Sequence, residues 1–282
     1  MLKAGVRMSE QNLESIKKIL SSRPPKTNCF LFFNEICELM DTHKADFYLK
    51  DENSVFMFLN TNGYFKFYYF VNDFKDIALA KPLLDEYHKI NDVSLDFITK
   101  NDRFLEELKE AIYPIGFKFY AEFVRFSDTR SSILVDNNID YFKLLKFAEP
   151  SDAEEILEIM HREFDKLKDD MTTRDELLKL IENGTVLIKK ELGKIIYINI
   201  YQLTQNALYS RLAWIDKNFR KPKFAVEIYS AADAFIQNIM KDKHIRYYYW
   251  MNKESKVYKM SKLQNVPADG LTNNIFIYKS KK

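Results

Sequence analysis

The pattern that most restricts the fold of this chain is an order of predicted elements that occurs twice. Each half reads as a helix, three strand-like runs, a helix, a strand, a second helix and a final strand. Short turns join the three runs, as in antiparallel strands, whereas the later strands alternate with helices. The sequence therefore predicts an α+β (mixed α/β) protein of two similar domains, each a mostly antiparallel twisted sheet flanked by helices.

In the first half, apolar spacing predicts helices over residues 1–20, 29–40, 76–88 and 102–113. The strand-like runs are DFYLKD, SVFMFLN, GYFKFYYFVND, DVSLDFIT and FKFYAEFVRF. Cys29 and Cys37 are eight residues apart on one predicted helix. That spacing puts them ~12 Å apart along the axis, too far for a disulfide. We interpret them as reduced core residues of a cytoplasmic protein.

A polar, turn-rich segment over residues 127–145, SDTRSSILVDNNIDY with its flanks, marks the predicted domain boundary. The domains are predicted at 1–130 and 146–282. In the second domain, helices are expected after Pro150–Ser151, over 173–182 and 224–240, and in KESKVYKMSKL. The strands are TVLIKKE, KIIYINIYQ, ALYSRLAWI, IRYYYWMN and NNIFIYK, and Leu192–Gly193 forms a hairpin turn between the first two.

Composition excludes several classes of protein. The net charge of +2 argues against a dedicated nucleic-acid binder. Residues 205–282 nevertheless carry 15 Lys/Arg against 6 Asp/Glu, which would attract a polyanionic ligand or simply form a solvated lysine-rich surface. Four scattered histidines and two cysteines make no metal-ligand pattern. With no apolar leader and no apolar run of ~20 residues, we expect a soluble cytoplasmic protein without a membrane or metal partner.

The second half resembles the GNAT superfamily of N-acetyltransferases. FAEPSDAEEILEIMHREFD is similar to the family's first helix, and GTVLIKKELGKIIYINIYQ to its first hairpin. LAWIDKNFRKPKFAVEIYSAADAFI stands where the family has a strand, a pyrophosphate loop and a long helix. The first half resembles a degenerate copy: AIYPIGFKFYAEFVRF is similar to the family's aromatic ending, but residues 72–76 offer no pyrophosphate loop. The resemblance implies tandem GNAT-like domains.

The family's loop reads Arg/Gln-x-x-Gly-x-Gly/Ala, and here Arg220 and Ala225 match it. Lys223 replaces the first glycine, and Pro222 removes one N–H donor, so the backbone cradle for a pyrophosphate is weakened. Arg220, Lys221 and Lys223 add cations beside a helix start, which could replace the lost amides. The alternative is a solvated basic turn on a domain that once bound coenzyme A. By the resemblance, the expected acetyl-CoA-binding residues are Ala213, Trp214, Ile215, Arg220, Lys221, Lys223, Phe224, Ala225 and Asn252.

Acetyl transfer to an amine needs a polarised thioester carbonyl, a neutral amine and a proton for the leaving thiolate. A backbone N–H of the strand ALYSRLAWI would polarise the carbonyl. The resemblance makes Tyr258 the candidate acid, although a one-residue shift puts Lys259 there and another alignment puts Met260 there. Gln264–Asn265 replace the family's Gly-Phe. No general base is visible in the sequence.

The resemblance implies an acyl-CoA-dependent N-acyltransferase that moves an acetyl group directly to a primary amine on a small molecule or peptide. The acyl-CoA would bind between the strands ALYSRLAWI and HIRYYYWMN, and the amine would approach near Tyr201, Tyr209 and Arg211. The rival hypothesis is a catalytically inactive GNAT-like binding or scaffold protein with a decayed loop. The altered loop and the missing base favour this rival.

Overall fold

Helices and strands alternate along the chain in a mixed α+β fold, as the sequence predicts. A computed structural model describes residues 10–22, 26–61, 63–128, 141–240, 245–263 and 268–279. The chain forms two units, the first made of Met1–Phe123 with Leu271–Lys282 and the second of Val124–Gly270. Within the predicted boundary segment, residues 129–140 lie outside the described residues.

The elements up to residue 128 have these bounds: α1 Glu10–Ser21, β1 Lys26–Thr27, α2 Phe33–Asp41, β2 Ala45–Asp51, β3 Ser54–Thr61, β4 Tyr64–Val71, α3 Lys81–His88, β5 Val93–Thr99, α4 Asp102–Ile112 and β6 Phe117–Asp128. The later elements are α5 Tyr141–Leu144, β7 Lys146–Phe147, α6 Ala153–Glu163, α7 Arg174–Glu182, β8 Val186–Glu191, β9 Lys194–Leu203, β10 Ala207–Ile215, α8 Pro222–Met240, β11 Arg246–Asn252, α9 Lys256–Leu263 and β12 Ala268–Tyr278. Three 3₁₀ helices, Phe74–Ala80, Pro150–Asp152 and Lys217–Phe219, precede α3, α6 and α8.

The hairpin predicted at Leu192–Gly193 is confirmed. β8 and β9 pair antiparallel up to Glu191 and Lys194, which leaves a two-residue loop. Both loop residues have positive φ, 49° for Leu192 and 80° for Gly193. That geometry suits the twist of the two strands, but it is unusual for leucine.

The prediction that both cysteines lie on one helix is wrong. α2 begins at Phe33, because the Glu35 carboxylate accepts the N–H of Phe32 at 2.6 Å and fixes the first turn there. Cys29 precedes the helix, and its N–H donates to Thr27 Oγ1 at 3.1 Å. Both thiols are free, and burial raises the pKa of Cys29 to about 11, so this thiol is poorly reactive.

The first unit has a mixed sheet. β2, β3 and β4 are antiparallel neighbours, and β4 pairs parallel to β5 over Phe65↔Val93 and Lys66↔Ser94. The 3₁₀ helix and α3 make the connection that a parallel pair requires. A large aromatic core lies between this sheet and its helices, and its central side chains Phe58, Phe67 and Leu84 are at most 1% exposed.

The last strand of the chain completes the sheet of the first unit. The sequence placed residues 271–282 in the second domain, but Leu271–Tyr278 of β12 lie between β5 and β6. Asn274 pairs with Phe97 in an antiparallel register, and Phe276 and Tyr278 are fully buried in the first unit's core. The pairing partner of a strand depends on the available sheet edge and not on its neighbours in sequence, which is why the boundary prediction missed this exchange.

The strands of the second unit are mixed and lie in the order β7, β8, β9, β10 and β11, with Val124–Asp128 of β6 beside β11. The strands up to β10 are antiparallel, and β10 and β11 are parallel. One face packs on α6 and α7 and the other on α8. β9 is therefore buried on both sides, with Ile198 towards α6 and α7 and Tyr201 towards α8.

Candidate functional site

The two parallel strands of the second unit separate part of the way along their length. β10 and β11 pair from Ala207↔Arg246 to Ser210↔Tyr249 and no further. Both strands continue, β10 to Ile215 and β11 to Asn252. We call the region beyond Ser210 and Tyr249 the fork. Backbone N–H and C=O groups of β10 that point into the fork make no ladder hydrogen bond to β11, so they can form hydrogen bonds with a ligand.

A β-bulge in β10 lies at the start of the fork. The register with β9 shifts between Ser210 and Leu212, which makes Arg211 the extra residue. The bulge reverses which residues face each layer: Leu208 packs towards α8, whereas Leu212 and Trp214 pack towards α6 and α7. Bulges of this kind re-aim side chains and end regular pairing, and they are frequent beside functional sites.

The predicted cofactor residues of β10 line the same stretch. Ala213 pairs with Asn199 on the β9 side and is exposed, while Trp214 and Ile215 are buried. On the side of β10 that faces β11, these three residues lie beyond the last paired position, so they have no ladder partner there. The structure thus places these three residues where a backbone contact to a ligand is geometrically available.

The turn after β10 leads directly into α8. Asp216 Oδ1 accepts the N–H of Asn218 at 2.8 Å and starts the 3₁₀ helix. Arg220 Nε donates to the carbonyl of Ile215 at 2.8 Å, which closes the turn. Pro222 is the first residue of α8, a position where proline's missing N–H does no harm. The N–H groups of Lys223 and Phe224 are the ones in this first turn that have no partner within the helix.

The side chains of the turn divide into two groups. Arg220, Lys221 and Lys223 are exposed around the start of α8. Phe224 and Ala225 pack against the apolar core beneath the helix, and the rings of Phe219 and Phe224 are 5.8 Å apart. The exposed cations can reach an anion at the helix start, while the apolar pair anchors the helix. Sequence reasoning grouped these residues together, and the structure separates them.

On the α6–α7 side of β10, the bulge residue Arg211 is held by two carboxylates. Its guanidinium donates to Asp170 at 2.8 and 3.1 Å and to Glu176 at 2.5 Å, and its side chain is 6% exposed. Burial raises the pKa of Tyr209 well above its ordinary value, and the nearby negative charge of Asp170 raises it further. Asp170, in a loop, and Glu176, on α7, escaped the sequence analysis because an acidic residue carries no signal of its distant partner.

An aromatic platform lies beside this ion pair. The rings of Tyr209 and Tyr248 stack, with centroids 4.7 Å apart and planes 4° apart. The Arg125 guanidinium lies 5.6 Å from the Tyr248 ring and 5.9 Å from the Trp250 ring, and its Nε donates to Asp269 at 2.7 Å. Of the predicted acceptor-binding residues, Tyr209 and Arg211 are therefore brought together.

Tyr201, the third predicted acceptor-binding residue, lies on the opposite face of the sheet. It has no exposed surface, and its hydroxyl accepts from Asn199 Nδ2 at 2.7 Å. Asn199 Nδ2 also donates to the Tyr197 hydroxyl at 3.2 Å, and Asn199 Oδ1 accepts from Ser210 at 3.1 Å. These groups form a buried polar network between β9, β10 and α8.

The candidate acid Tyr258 lies on α9, in a small aromatic cluster. Its ring is 6.1 Å from that of Phe126 and packs with Val124 and Tyr249. Val124 and Phe126 belong to β6, more than a hundred residues earlier in the chain, so this environment could not be read from the sequence. Lys259, the alternative, is exposed. The Met260 side chain and Gln264–Asn265 lie outside the described residues.

Asn252 closes the turn between β11 and α9. Its Oδ1 accepts the N–H of Glu254 at 2.8 Å, and its carbonyl accepts the N–H of Ser255 at 3.0 Å. Its side chain is therefore engaged locally, and a contact to a cofactor stays a prediction.

Across the described ranges, no group of three or more His, Cys, Asp or Glu residues could hold a metal ion. No helix among the same residues is long and apolar enough to cross a membrane.

No family model and no curated protein matches the sequence. Solved structures do match the fold. A GCN5-related N-acetyltransferase from Kribbella flavida superposes with a TM-score of 0.56 at 10% identity, over 96% of this chain and 70% of that chain. A GNAT-family acetyltransferase from Colwellia psychrerythraea gives 0.52 at 11% identity, over 95% and 97%. A functionally unknown conserved protein from Staphylococcus epidermidis gives 0.52 at 11% identity, over 86% and 98%. Identities this low show fold alone, so the chain has the fold of GNAT acetyltransferases along most of its length.

Proposed function

We propose that the Val124–Gly270 unit binds an acyl-CoA, most simply acetyl-CoA, and transfers the acyl group directly to a primary amine. The observation that carries this proposal is the fork. β10 and β11 stop pairing after Ser210 and Tyr249, and a 19-residue helix with three exposed cations at its start follows directly. A thioester lying in the fork can have its carbonyl polarised by a backbone N–H of β10. Its phosphates would then reach the start of α8.

The phosphate contact would depend on side chains more than on backbone amides. With Pro222 and Lys223 in place of glycine, the loop lacks the backbone freedom that a glycine-rich loop provides. In the first turn of α8, the N–H groups of Lys223 and Phe224 remain without a helical partner. Lys221 and Lys223 are exposed and can each approach a phosphate. Arg220 is less free, because its Nε already holds the carbonyl of Ile215.

This proposal predicts that removing the two lysines weakens acetyl-CoA binding. The double variant Lys221→Ala/Lys223→Ala should lose about tenfold in affinity at low salt, and the loss should shrink at high salt because exposed charges are screened. Isothermal titration calorimetry at two salt concentrations measures it. Lys179→Ala, an exposed lysine on α7, is the matched control and should bind as the parent does.

Two single substitutions separate side-chain charge from backbone geometry. Lys223→Ala and Lys223→Gly remove the same charge, but only glycine restores backbone freedom. If cations supply the contact, both variants weaken binding equally. Tighter binding by the glycine variant would instead show that amides dominate.

The second candidate function is a non-catalytic binding protein built on the same fold. It is favoured by Tyr258, whose ring packs inside an aromatic cluster, and by the altered loop. Calorimetry and a thermal-shift assay with millimolar acetyl-CoA distinguish the two functions. Absence of both heat and shift would exclude the acyltransferase and leave the binding protein.

A further inference from the structure

The first unit contains a pair of parallel strands that separate, as β10 and β11 do in the second unit. β4 and β5 stop pairing after Lys66↔Ser94, although β4 continues to Val71 and β5 to Thr99. We call the region beyond Lys66 and Ser94 the first-unit fork. By the argument applied to β10, backbone groups of β4 and β5 that point into this region could bind a ligand if nothing else bound them.

A side chain of the first unit itself fills the first-unit fork. Asn28 is 2% exposed, and its carboxamide bridges the two strands just beyond their last paired residues. Its Nδ2 donates to the carbonyl of Phe67 on β4 at 3.0 Å and to the carbonyl of Asp96 on β5 at 3.2 Å. Its Oδ1 accepts the N–H of Tyr69 on β4 at 2.9 Å. One primary amide thus satisfies three backbone groups that would otherwise be open to a ligand.

The backbone that precedes Asn28 occupies the next part of the same edge. The two residues of β1 pair antiparallel with Phe70 and Val71 of β4. On its other edge, Phe70 pairs with Val55 of β3. β1 therefore lies on the edge of β4 that faces the first-unit fork, where an extended ligand would have to bind.

The turn after β4 has carboxylates where the turn after β10 has cations. Asp73 Oδ1 accepts the N–H of Lys75 at 3.0 Å, and Asp76 Oδ2 accepts the N–H of Asp73 at 3.2 Å, at the start of the 3₁₀ helix. These carboxylates already bind N–H groups that an anion would need, and their charge would repel a phosphate. The helix after β10 instead begins beside three exposed cations.

We propose that the first unit is closed to acyl-CoA by its own groups, so that the chain binds one acyl-CoA, in the second unit. The Asn28 carboxamide and β1 take the backbone positions of the first-unit fork, and Asp73 and Asp76 take the helix start. The single site rests on the proposed function, whereas the closure does not. The sequence indicated only that residues 72–76 offer no pyrophosphate loop, because the partners of Asn28 are about 40 or more residues away in the chain.

Stoichiometry and hydrogen exchange with acetyl-CoA test the single site. Calorimetry of the full chain should give one acetyl-CoA bound per chain. Saturating acetyl-CoA should slow amide exchange in residues 207–225 and leave exchange in residues 64–76 and 93–99 unchanged. Two equivalents, or slower exchange in residues 64–76, would overturn the inference and leave acyl transfer intact. Absence of any binding would reject the proposed function and the single site, and the Asn28 variants would still test the closure.

Asn28→Ala tests the closure without a ligand. It leaves the Tyr69 N–H and the carbonyls of Phe67 and Asp96 without their partner in a buried place. The melting temperature should therefore fall by about 5 to 10 °C. Exchange of the Tyr69 amide should become at least about tenfold faster, because its acceptor is removed. The affinity for acetyl-CoA should stay that of the parent. Unchanged exchange at Tyr69 would contradict the role of Asn28.

Asn28→Asp separates the two donated hydrogen bonds from the accepted one. A carboxylate can still accept the Tyr69 N–H, but it repels the two carbonyls to which Nδ2 donates. Burial and these carbonyls favour the protonated acid, so the loss of melting temperature relative to the parent should be smaller at about pH 4 than at about pH 7.

Asn101→Asp is the matched control. Asn101 Oδ1 accepts the N–H groups of Arg103 and Phe104 at the start of α4, a role that aspartate also performs, so this variant should melt as the parent does. Equal losses of melting temperature in Asn28→Asp and Asn101→Asp, or a loss in Asn28→Asp that does not depend on pH, would overturn the closure.

Discussion

At the scale of single residues, the same residue type has different roles according to what surrounds it. Arg211 and Arg220 both belong to the candidate site. Arg211 is held by two carboxylates, whereas Arg220 is exposed and closes a turn through its Nε. Aspartates differ in the same way. Asp170 is an ion-pair partner of Arg211, whereas burial raises the pKa of Asp233 to about 6. Chemistry at this site therefore depends on environment more than on residue identity.

The hairpin residue Leu192 is a position where the sequence is locally unfavourable. It has φ of 49° and is 98% exposed, so it carries the left-handed penalty of a side chain without any packing in return. Leu192→Asn should raise the free energy of unfolding by about 1 kcal/mol, because asparagine tolerates this conformation. Urea denaturation measures the change. Leu192→Ala removes the apolar side chain but keeps the backbone penalty, so it should change the free energy of unfolding little. An equal gain in stability in both variants would contradict the backbone explanation.

At the scale of elements, the last strand is secured in the first unit by close backbone contact. Gly116 precedes β6 with φ of 122°, and its carbonyl accepts the N–H of Lys279 at 2.9 Å. A Cβ at Gly116 would lie 2.9 Å from the Lys279 carbonyl oxygen and 3.0 Å from the Tyr278 ring. The ring is also fixed, since its hydroxyl donates to Asp85 at 2.5 Å. A glycine at this position is what allows the strand to approach.

Gly116→Ala should therefore destabilise the first unit by about 2 to 3 kcal/mol, from strain and from contact with β12. Gly63→Ala is the matched control. It also has a positive φ, 77°, but a Cβ added there would meet no atom within 4 Å, so this variant should lose only about 1 kcal/mol. Chemical denaturation of both variants gives the difference, and equal losses would show that contact with the strand is unimportant.

At the scale of the whole molecule, the first unit combines two separate segments of the chain, whereas the second unit is the continuous stretch Val124–Gly270. β6 begins in the first unit and ends in the second, and β12 begins in the second and ends in the first. In the first unit, Phe276 and Tyr278 are fully buried among side chains of residues 56–117. The first unit therefore cannot complete its core from residues 1–123 alone.

Truncation after Gly270 tests this dependence. Removing residues 271–282 takes the strand between β5 and β6 out of the first unit, and the exposed core should lead to a molten or aggregated state. Near-ultraviolet circular dichroism and hydrogen exchange of β5 measure the loss. Truncation after Lys279, which keeps the whole of β12, should leave the parent signal. A folded first unit in the shorter protein would contradict the assignment of the strand.

Local signals in the sequence determined the order of elements, the α+β class, most element bounds and the Leu192–Gly193 hairpin. Periodicity, caps and turn residues act between neighbours in the chain, so they can be read without a structure. The sequence also indicated the basic turn before α8, and it predicts a ligand position along β10, which stays a prediction. Its GNAT-like order of elements agrees with the fold that the structure shows.

Tertiary structure alone decided which unit receives the last strand, that Arg211 is held by Asp170 and Glu176, and that Tyr258 packs against residues of β6. It also partly buried Asp233 on α8, which raises the pKa of this carboxyl to about 6. Strand edges accept many partners, and a buried charge or hydroxyl is defined by groups far away in sequence. The sequence therefore determined the elements and the position of the candidate site, whereas the contacts between distant residues determined its chemistry.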